Sequence, residues 1–467
     1  MALNNLNIEQ SSDWLNQLSV EIIERILLFL NPKDVLIMGK CCIRLRDITK
    51  NELIWTKLVK RDYGIDIRRS PNPNEKSVRV LYSNILEKYG RLLSTLFIRK
   101  NFTYYGGIIK VVYHDFALYV LDLEPPPFPH VLEGLQPHIL CKISSNSCDD
   151  DEKVILEQET TDFGKIDHIE VISVGLNDKL GPFRIISTPS SLPFMKDLRG
   201  HIASYFEDST SNGIPEGLIL HQKFAKRFGL MHNMALEKLE DRIEYLNQGV
   251  QVCEGLSFDR NIALPPFSPI SPGVFKGTYG PHGIEIVNVE YKSEPSVEHR
   301  CELTMVGNKL YGDRNVPFNQ LTFKAYLNKP MTLSNDTQAS IKKIQDYMDK
   351  SEESSLPTQV TSPSIQPFIL PNECECECSL DDNVFHKSVW RFQASCQIAS
   401  DMYQNPEWID GNLVIFSDDL FGVIFMAEAH GFNSLTIYHR LKEDLSAVHY
   451  DDVFKDLPLN EISDKFS

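Results

Sequence analysis

The chain has 467 residues, of which 42% are hydrophobic and 10% aromatic, and a formal net charge of −17. This content supports packed cores rather than global disorder, and the length accommodates a small module plus one large domain or two medium ones. The acidity argues against nucleic acid or an anionic membrane as the main partner. The opening MALNNLNIEQSS has neither the basic nor the apolar stretch of a secretory signal, and no apolar run is long enough to span a bilayer. The ten cysteines are scattered without a secreted disulfide pattern, so cytoplasm and nucleus are the expected compartments.

The first periodic segment, residues 20–30, puts Ile22, Ile23, Ile26, Leu27 and Leu30 on one helical stripe, with Ser19 placed to cap it. Asn31, Pro32 and Asp34 then start a second helix as cap, first residue and dipole partner, and Val35, Met38, Cys42 and Leu45 form its stripe. A third short helix carries Leu53, Ile54, Trp55, Leu58 and Val59. Three helices cannot bury this much aliphatic surface alone in some fifty residues, so the surplus is expected to face a partner helix.

Residues 70–74 break the helical run, and 75–93 resume it with Val78, Leu81, Tyr82, Ile85, Leu86 and Tyr89 on one face, as a rigid connection. The character then turns to strand. Residues 108–123 follow the turn signal Tyr105-Gly106-Gly107 and stop at Pro125-Pro126-Pro127. Further strands are predicted at 139–143, 169–174, 183–186, 283–291, 301–310, 321–327, 389–398, 412–417, 421–427 and 435–438, with a helical block at 218–246. Residues 334–366 are polar and read as an insertion or disordered loop with one helical turn near 341–348. The fold class is therefore α+β: a three-helix N-terminal module, then a mostly antiparallel β-barrel with a few helices. The expected division is tail 1–11, helical module 12–64, connecting helix 65–100, first barrel part 101–333, insertion 334–366, second barrel part 367–445 and tail 446–467.

The order Leu18, Glu21, aliphatic stripe, Pro32, Asp34, Cys41-Cys42 and Ile54-Trp55 resembles the F-box, the helical module that docks on Skp1 in cullin–RING ubiquitin ligases. Ser19 stands where that family usually has proline, and Leu45 where it often has an aromatic. The Skp1-facing residues this implies are Leu18, Ile22, Ile26, Leu30, Pro32, Val35, Leu36, Ile54 and Trp55.

A second resemblance spans most of the remaining chain. It rests on Tyr105-Gly106-Gly107, Arg260 with Leu264-Pro265-Pro266, PGVFKGTYG from Pro272, HGIEIV from His282, GDRNVP from Gly312, Gln320, QPFILP from Gln366 and FSDDLFG from Phe416. In this order the motifs are similar to the F-box only protein 31 family, with its cyclin-D-binding domain. The resemblance implies a barrel that holds the C-terminus of its cargo, with D-type cyclins and C-terminally amidated proteins as cargo. Candidate substrate-binding residues are Lys276, Gly277, Thr278, Tyr279, His282, Asp313, Asn315 and Phe421. Closely spaced glycines let backbone approach a ligand, and an aspartate accepts from a terminal amide while repelling a terminal carboxylate. Each has a plainer reading: Asp313 as an Asx-turn residue, Lys276 as a surface lysine, Tyr279 as a core tyrosine, His282 as a turn histidine. Asp418, Asp419 and Gly422 read as hairpin-turn residues.

No phosphate loop, GxSxG or HExxH motif occurs, and no nucleophile–base constellation is legible. Cys374, Cys376 and Cys378 are spaced too closely for a structural zinc site, and His130, His138, Cys141, Cys148 and His168 match no paired pattern. No cofactor is expected, and a structural zinc is left open. The reading is a non-catalytic substrate receptor whose partners are Skp1, through it cullin and RING subunits, and protein C-termini, with no nucleic acid and no membrane. Two rivals stay open: a scaffold with an F-box but no ubiquitin role, and a barrel that binds a small apolar ligand.

Overall fold

The computed structural model describes residues 18–67, 77–94, 96–100, 104–126, 133–145, 154–157, 164–171, 182–189, 250–255, 268–278, 283–294, 302–349, 365–369, 387–427 and 432–441. The predicted helical block 218–246, both tails, Cys374 to Cys378, His130 and Cys148 lie outside them.

The N-terminal module has four helices rather than three: α1 (Val20–Leu27), α2 (Pro32–Met38), α3 (Ile43–Thr49) and α4 (Glu52–Tyr63). The expected second helix divides because Cys42 is extended (φ −155°) and caps a new one. Asn31 accepts from Lys33 N at 3.1 Å and Pro32 is first in α2, so that start is built as its residues dictate. Ser19 occupies the cap of α1 without a capping bond; its hydroxyl goes to Glu21 and holds that carboxyl below its usual range.

The connecting helix α5 is α-helical at Val78–Val80 and Glu87–Tyr89 around a π-helical turn at Leu81–Leu86. It is bolted to α4. Glu52 accepts from Ser77 Oγ at 2.6 Å and from Val78 N at 2.7 Å, and so caps α5 from outside. Tyr82 donates to Asp62 at 2.6 Å and Tyr63 to the Leu86 carbonyl at 2.8 Å. Trp55, fully buried, stacks 5.6 Å from Tyr82 in a tilted pair.

The β region is two bodies, not one barrel from residue 101. Strands β1 (Leu96–Arg99), β2 (Ile108–His114), β3 (Ala117–Glu124), β4 (Gln136–Ser145), β5 (Val154–Glu157), β6 (Gly164–Val171), β7 (Phe183–Pro189) and β8 (Val250–Gly255) form an antiparallel sheet in the order β5-β4-β3-β2-β1-β8-β7-β6. Its two faces have different neighbours. Ile109, Val111, Leu118 and Val120 pack with the helical module, whereas Ile108, Val112, Ala117, Tyr119, Leu121 and Leu123 pack against Val274, Ile286 and Leu310 of the following body. Burial on both faces explains why 108–123 is apolar without alternation. It is a hairpin rather than one strand: Asp115 and Phe116 turn at φ 40° and 58°.

The second body is a closed antiparallel barrel, β10-β11-β12-β15-β16-β17-β18-β9. Its strands are β9 (Gly273–Thr278), β10 (Ile284–Glu294), β11 (Glu302–Tyr311), β12 (Leu321–Pro330), β15 (Trp390–Ser400), β16 (Gln404–Ser417), β17 (Leu420–Ala427) and β18 (Phe432–Arg440). Short strands β13 (Gln366–Pro367) and β14 (Lys387–Ser388) pair outside it. The predicted insertion begins with a full helix, α6 (Asn335–Asp349), rather than a single turn. Phe275, Phe323, Phe392, Phe421, Phe425 and Tyr438 are buried to 1% exposure or less and fill the barrel. Each such side chain contributes about 1.5–3 kcal/mol by leaving water.

Candidate functional sites: a helical face and a barrel rim

The apolar residues of the N-terminal helices divide into two sets. Ile23, Leu27, Val35, Leu45, Ile54, Trp55, Leu58 and Val59 are buried within the chain. Ile22 (47% exposed) and Ile26 (39%) lie on the outer side of α1, Phe29 (87%) follows in the turn just past its end, and Val20, Ile37, Ile43 and Leu53 are exposed as well. Three residues assigned to partner contact from sequence are therefore core instead. Val35 and Ile54 are at 0% and 1% exposure, and Trp55 donates its indole N–H to the Thr49 carbonyl at 2.8 Å, which fixes the α3–α4 corner. Leu18, Leu30 and Leu36 are partly buried against the same core, and Pro32 is half-buried. Sequence reasoning missed Phe29, Ile37 and Ile43. Phe29 and Ile37 are off the stripes that mark the core, and that offset is the signal that would have found them.

At the other end of the chain, antiparallel order brings the ends of β9, β11, β15 and β17 and the starts of β10, β12, β16 and β18 to one mouth of the barrel. Of the segments singled out from sequence, residues 276–278 and 312–317 thus share a rim. Tyr279 and His282 lie outside the described residues. Residues 276–278 belong to strand β9 and not to a glycine loop, so they alternate. Gly277 faces inward, where a Cβ would sit 2.7 Å from the Tyr438 ring. Lys276 points outward, is 4% exposed and donates to the Glu133 carbonyl, just ahead of strand β4. Thr278 is also buried on that side. Phe421 is core, stacked on Tyr438 at 4.8 Å and edge-on to Phe275 at 5.0 Å. Lys276 and Phe421 therefore hold the barrel rather than line its mouth.

Toward the rim the interior turns polar. Lys309, with no exposed surface, reaches Glu285 at 2.7 Å and Asp313 at 2.8 Å, and Tyr438 donates to Glu285. Two buried carboxylates thus face one ammonium. Asp313 is at the same time an Asx-turn residue: Oδ1 accepts from Asn315 N at 2.7 Å and Val316 N at 2.9 Å. The Asx-turn reading of Asp313 therefore holds: Oδ1 builds the turn, while Oδ2 joins the charge cluster with Lys309. Asn315 uses its side chain to donate to the Ala399 carbonyl at 2.8 Å, tying the turn to β15. Sequence reasoning missed Lys309, Glu285 and Tyr438; they are separate in sequence and meet only across strands. On the outer wall, burial first and Lys276 second depress His439 to about 4.

Among the described residues, no group of three His, Cys, Asp or Glu side chains could hold a metal ion. Cys141 is buried in the apolar core, its thiol pushed up to about 12, and His138 sits 3.4 Å from Glu124. The side chain of His168 lies outside the described residues. No helix among them is long and apolar enough to cross a membrane.

The rim and the helical face coincide with two known domains. A family model of the F-box domain matches residues 15–57, and a model of the cyclin D1 binding domain matches residues 259–444, the whole barrel. F-box only protein 31-B of Xenopus laevis is 22% identical, with 92% of this chain and 84% of that protein covered. Over most of its length the chain is similar to F-box only protein 31. The Rattus norvegicus protein of that name is 23% identical over 92% of this chain and 85% of its own length. The Homo sapiens protein is 26% identical over 66% of this chain and 51% of its own. The eight-stranded sheet lies between the two model matches, inside the region the relatives cover. An F-box joined to a cyclin D1 binding domain is the composition of an F-box substrate receptor, a class of non-catalytic adaptors.

Proposed function

We propose that this chain is the substrate-recognition subunit of an SCF-type RING E3 ubiquitin ligase. It docks on Skp1, and through it on cullin, by the outer face of α1–α4. It holds C-terminal ends of target proteins at the barrel rim for ubiquitination and proteasomal degradation, in cytoplasm and nucleus. The observation that carries the reading is the exposed Ile22–Ile26–Phe29 face on a module bolted to α5 and packed against the eight-stranded sheet. Aliphatic surface of this kind stays soluble by meeting a partner, and the rigid α4–α5 joint fixes cargo at one distance from that partner. D-type cyclins are the first cargo to test, because the barrel matches a cyclin D1 binding domain.

The charge cluster favours cargo ends that donate hydrogen bonds over ends that bring negative charge. A terminal carboxylate forced against the buried pair of acids would cost on the order of 2–5 kcal/mol. C-terminally amidated proteins are therefore the favoured class. A small-ligand barrel is disfavoured because phenylalanines occupy the barrel's middle.

Two arms test this. Full-length protein is purified with Skp1 and cullin, wild type against Ile26→Asp/Phe29→Asp. The variant loses both partners at an unchanged Tm, and retention of both overturns the docking reading. Short fluorescent peptides with carboxamide or carboxylate ends are then titrated against wild type and Asp313→Asn. Wild type prefers the amide and the variant loses that preference; equal wild-type affinities overturn the amide part alone.

A further inference from the structure

The tip between β15 and β16 is built from residues that resist its shape. Met402, Tyr403 and Asn405 all take left-handed backbone, at φ 59°, 54° and 48°, and none is glycine. Such a run persists only where the surroundings over-determine it. Most of the bonds that hold it go to one place, the 312–320 connection. Tyr403 N donates to the Arg314 carbonyl at 2.7 Å. Tyr403 Oη donates to Gln320 Oε1 at 3.0 Å and accepts from Gln397 Nε2 at 3.1 Å. Asn315 Nδ2 reaches the Ala399 carbonyl at 2.8 Å, and Arg314 reaches Asp401 at 3.3 Å. Bonds are mutual, so whatever fixes the tip also fixes the turn that presents Asp313.

We propose that Tyr403 is a positioning residue for cargo selection: its hydroxyl bridges Gln397 and Gln320 and so clamps the 312–320 turn, holding Asp313 between its own backbone amides and Lys309. The inference rests on the rim being the cargo site. Tyr403 does not itself contact the charge cluster; it acts through the turn. The left-handed backbone at Met402 is held by these bonds and does not itself hold the turn.

The test uses the full chain and three proteins: wild type, Tyr403→Phe, which keeps the ring and removes the hydroxyl, and Met402→Gly, which relaxes the backbone and keeps every bond of Tyr403. Hydrogen exchange at the Asn315 and Val316 amides is read first, because those amides bond Asp313 Oδ1. Tyr403→Phe raises their exchange about tenfold, and Met402→Gly leaves it within about twofold. Unchanged exchange in Tyr403→Phe overturns the inference whatever the cargo. The short fluorescent amide and acid peptides are read second. In Tyr403→Phe the ratio of amide to acid affinity falls toward one; a merely structural tyrosine would weaken both equally and leave the ratio alone. Wild type that fails to distinguish the peptides counts against the rim as a cargo site, whereas wild type that distinguishes them beside an unchanged variant ratio counts against Tyr403.

Discussion

Replacing Lys309 with methionine removes the cation from the barrel's charge cluster at nearly constant side-chain volume. The ammonium has no exposed surface and lies 2.7 Å from Glu285 and 2.8 Å from Asp313, whose side chains are 3% and 5% exposed. Breaking a buried pair from one side strands the opposite charge and costs about 3–5 kcal/mol. The exposed Lys60–Asp66 pair, 64% and 74% accessible, contributes about 0–1 kcal/mol by contrast. Two features place the loss at the lower end of that range: Glu285 keeps the Tyr438 hydroxyl, and Asp313 keeps two backbone amides. For a unit of this size a loss of 3–5 kcal/mol lowers Tm by about 6–20 °C. Adding Glu285→Gln and Asp313→Asn to the Lys309→Met variant restores most of the loss, because neutral amides need no counter-charge. The assay is denaturant and thermal unfolding of wild type, Lys309→Met and the triple variant. A loss below about 1 kcal/mol refutes the reasoning.

His439 titrates far below its ordinary value because it is buried and faces Lys276. It stays neutral in the folded state while the unfolded chain takes a proton, so stability falls as pH drops from about 6.5 to about 4, by up to about 3 kcal/mol. His439→Gln flattens that part of the pH–stability curve, and an unchanged slope contradicts the assignment. Trp55→Ala removes a fully buried indole and its 2.8 Å bond to Thr49, and is expected to cost about 3–5 kcal/mol by denaturant unfolding. Ile26→Asp, on the exposed side of α1, stays within about 0.5 kcal/mol in the same assay. Similar losses in the two variants would mean that the helical residues do not divide into a core set and a surface set.

The caps of α2 and α4, the amphipathic stripe of α1 and the run of α5 are local, and residues 19–93 carry their signals within a turn or two of the chain. The barrel class followed from many short runs of β-branched and aromatic residues. Two elements were misread for stated reasons. Residues 273–278 are rich in glycine, which reads as loop until a ring such as Tyr438 is known to need the space. The 108–123 hairpin turns on Asp115 and Phe116 in place of a glycine pair, and both faces of its strands are buried.

Sequence by itself determined the helical module, the strand-rich character and the shared motif order, because periodicity, capping and turn chemistry act between near neighbours. Only the tertiary structure decided which aliphatic residues the chain covers with its own atoms, and so which are left for a partner. It alone separated the sheet from the barrel. It alone assembled Glu285, Lys309, Asp313 and Tyr438, since the bond from Tyr438 to Glu285 spans 153 residues and no local pattern reports a contact that barrel closure creates.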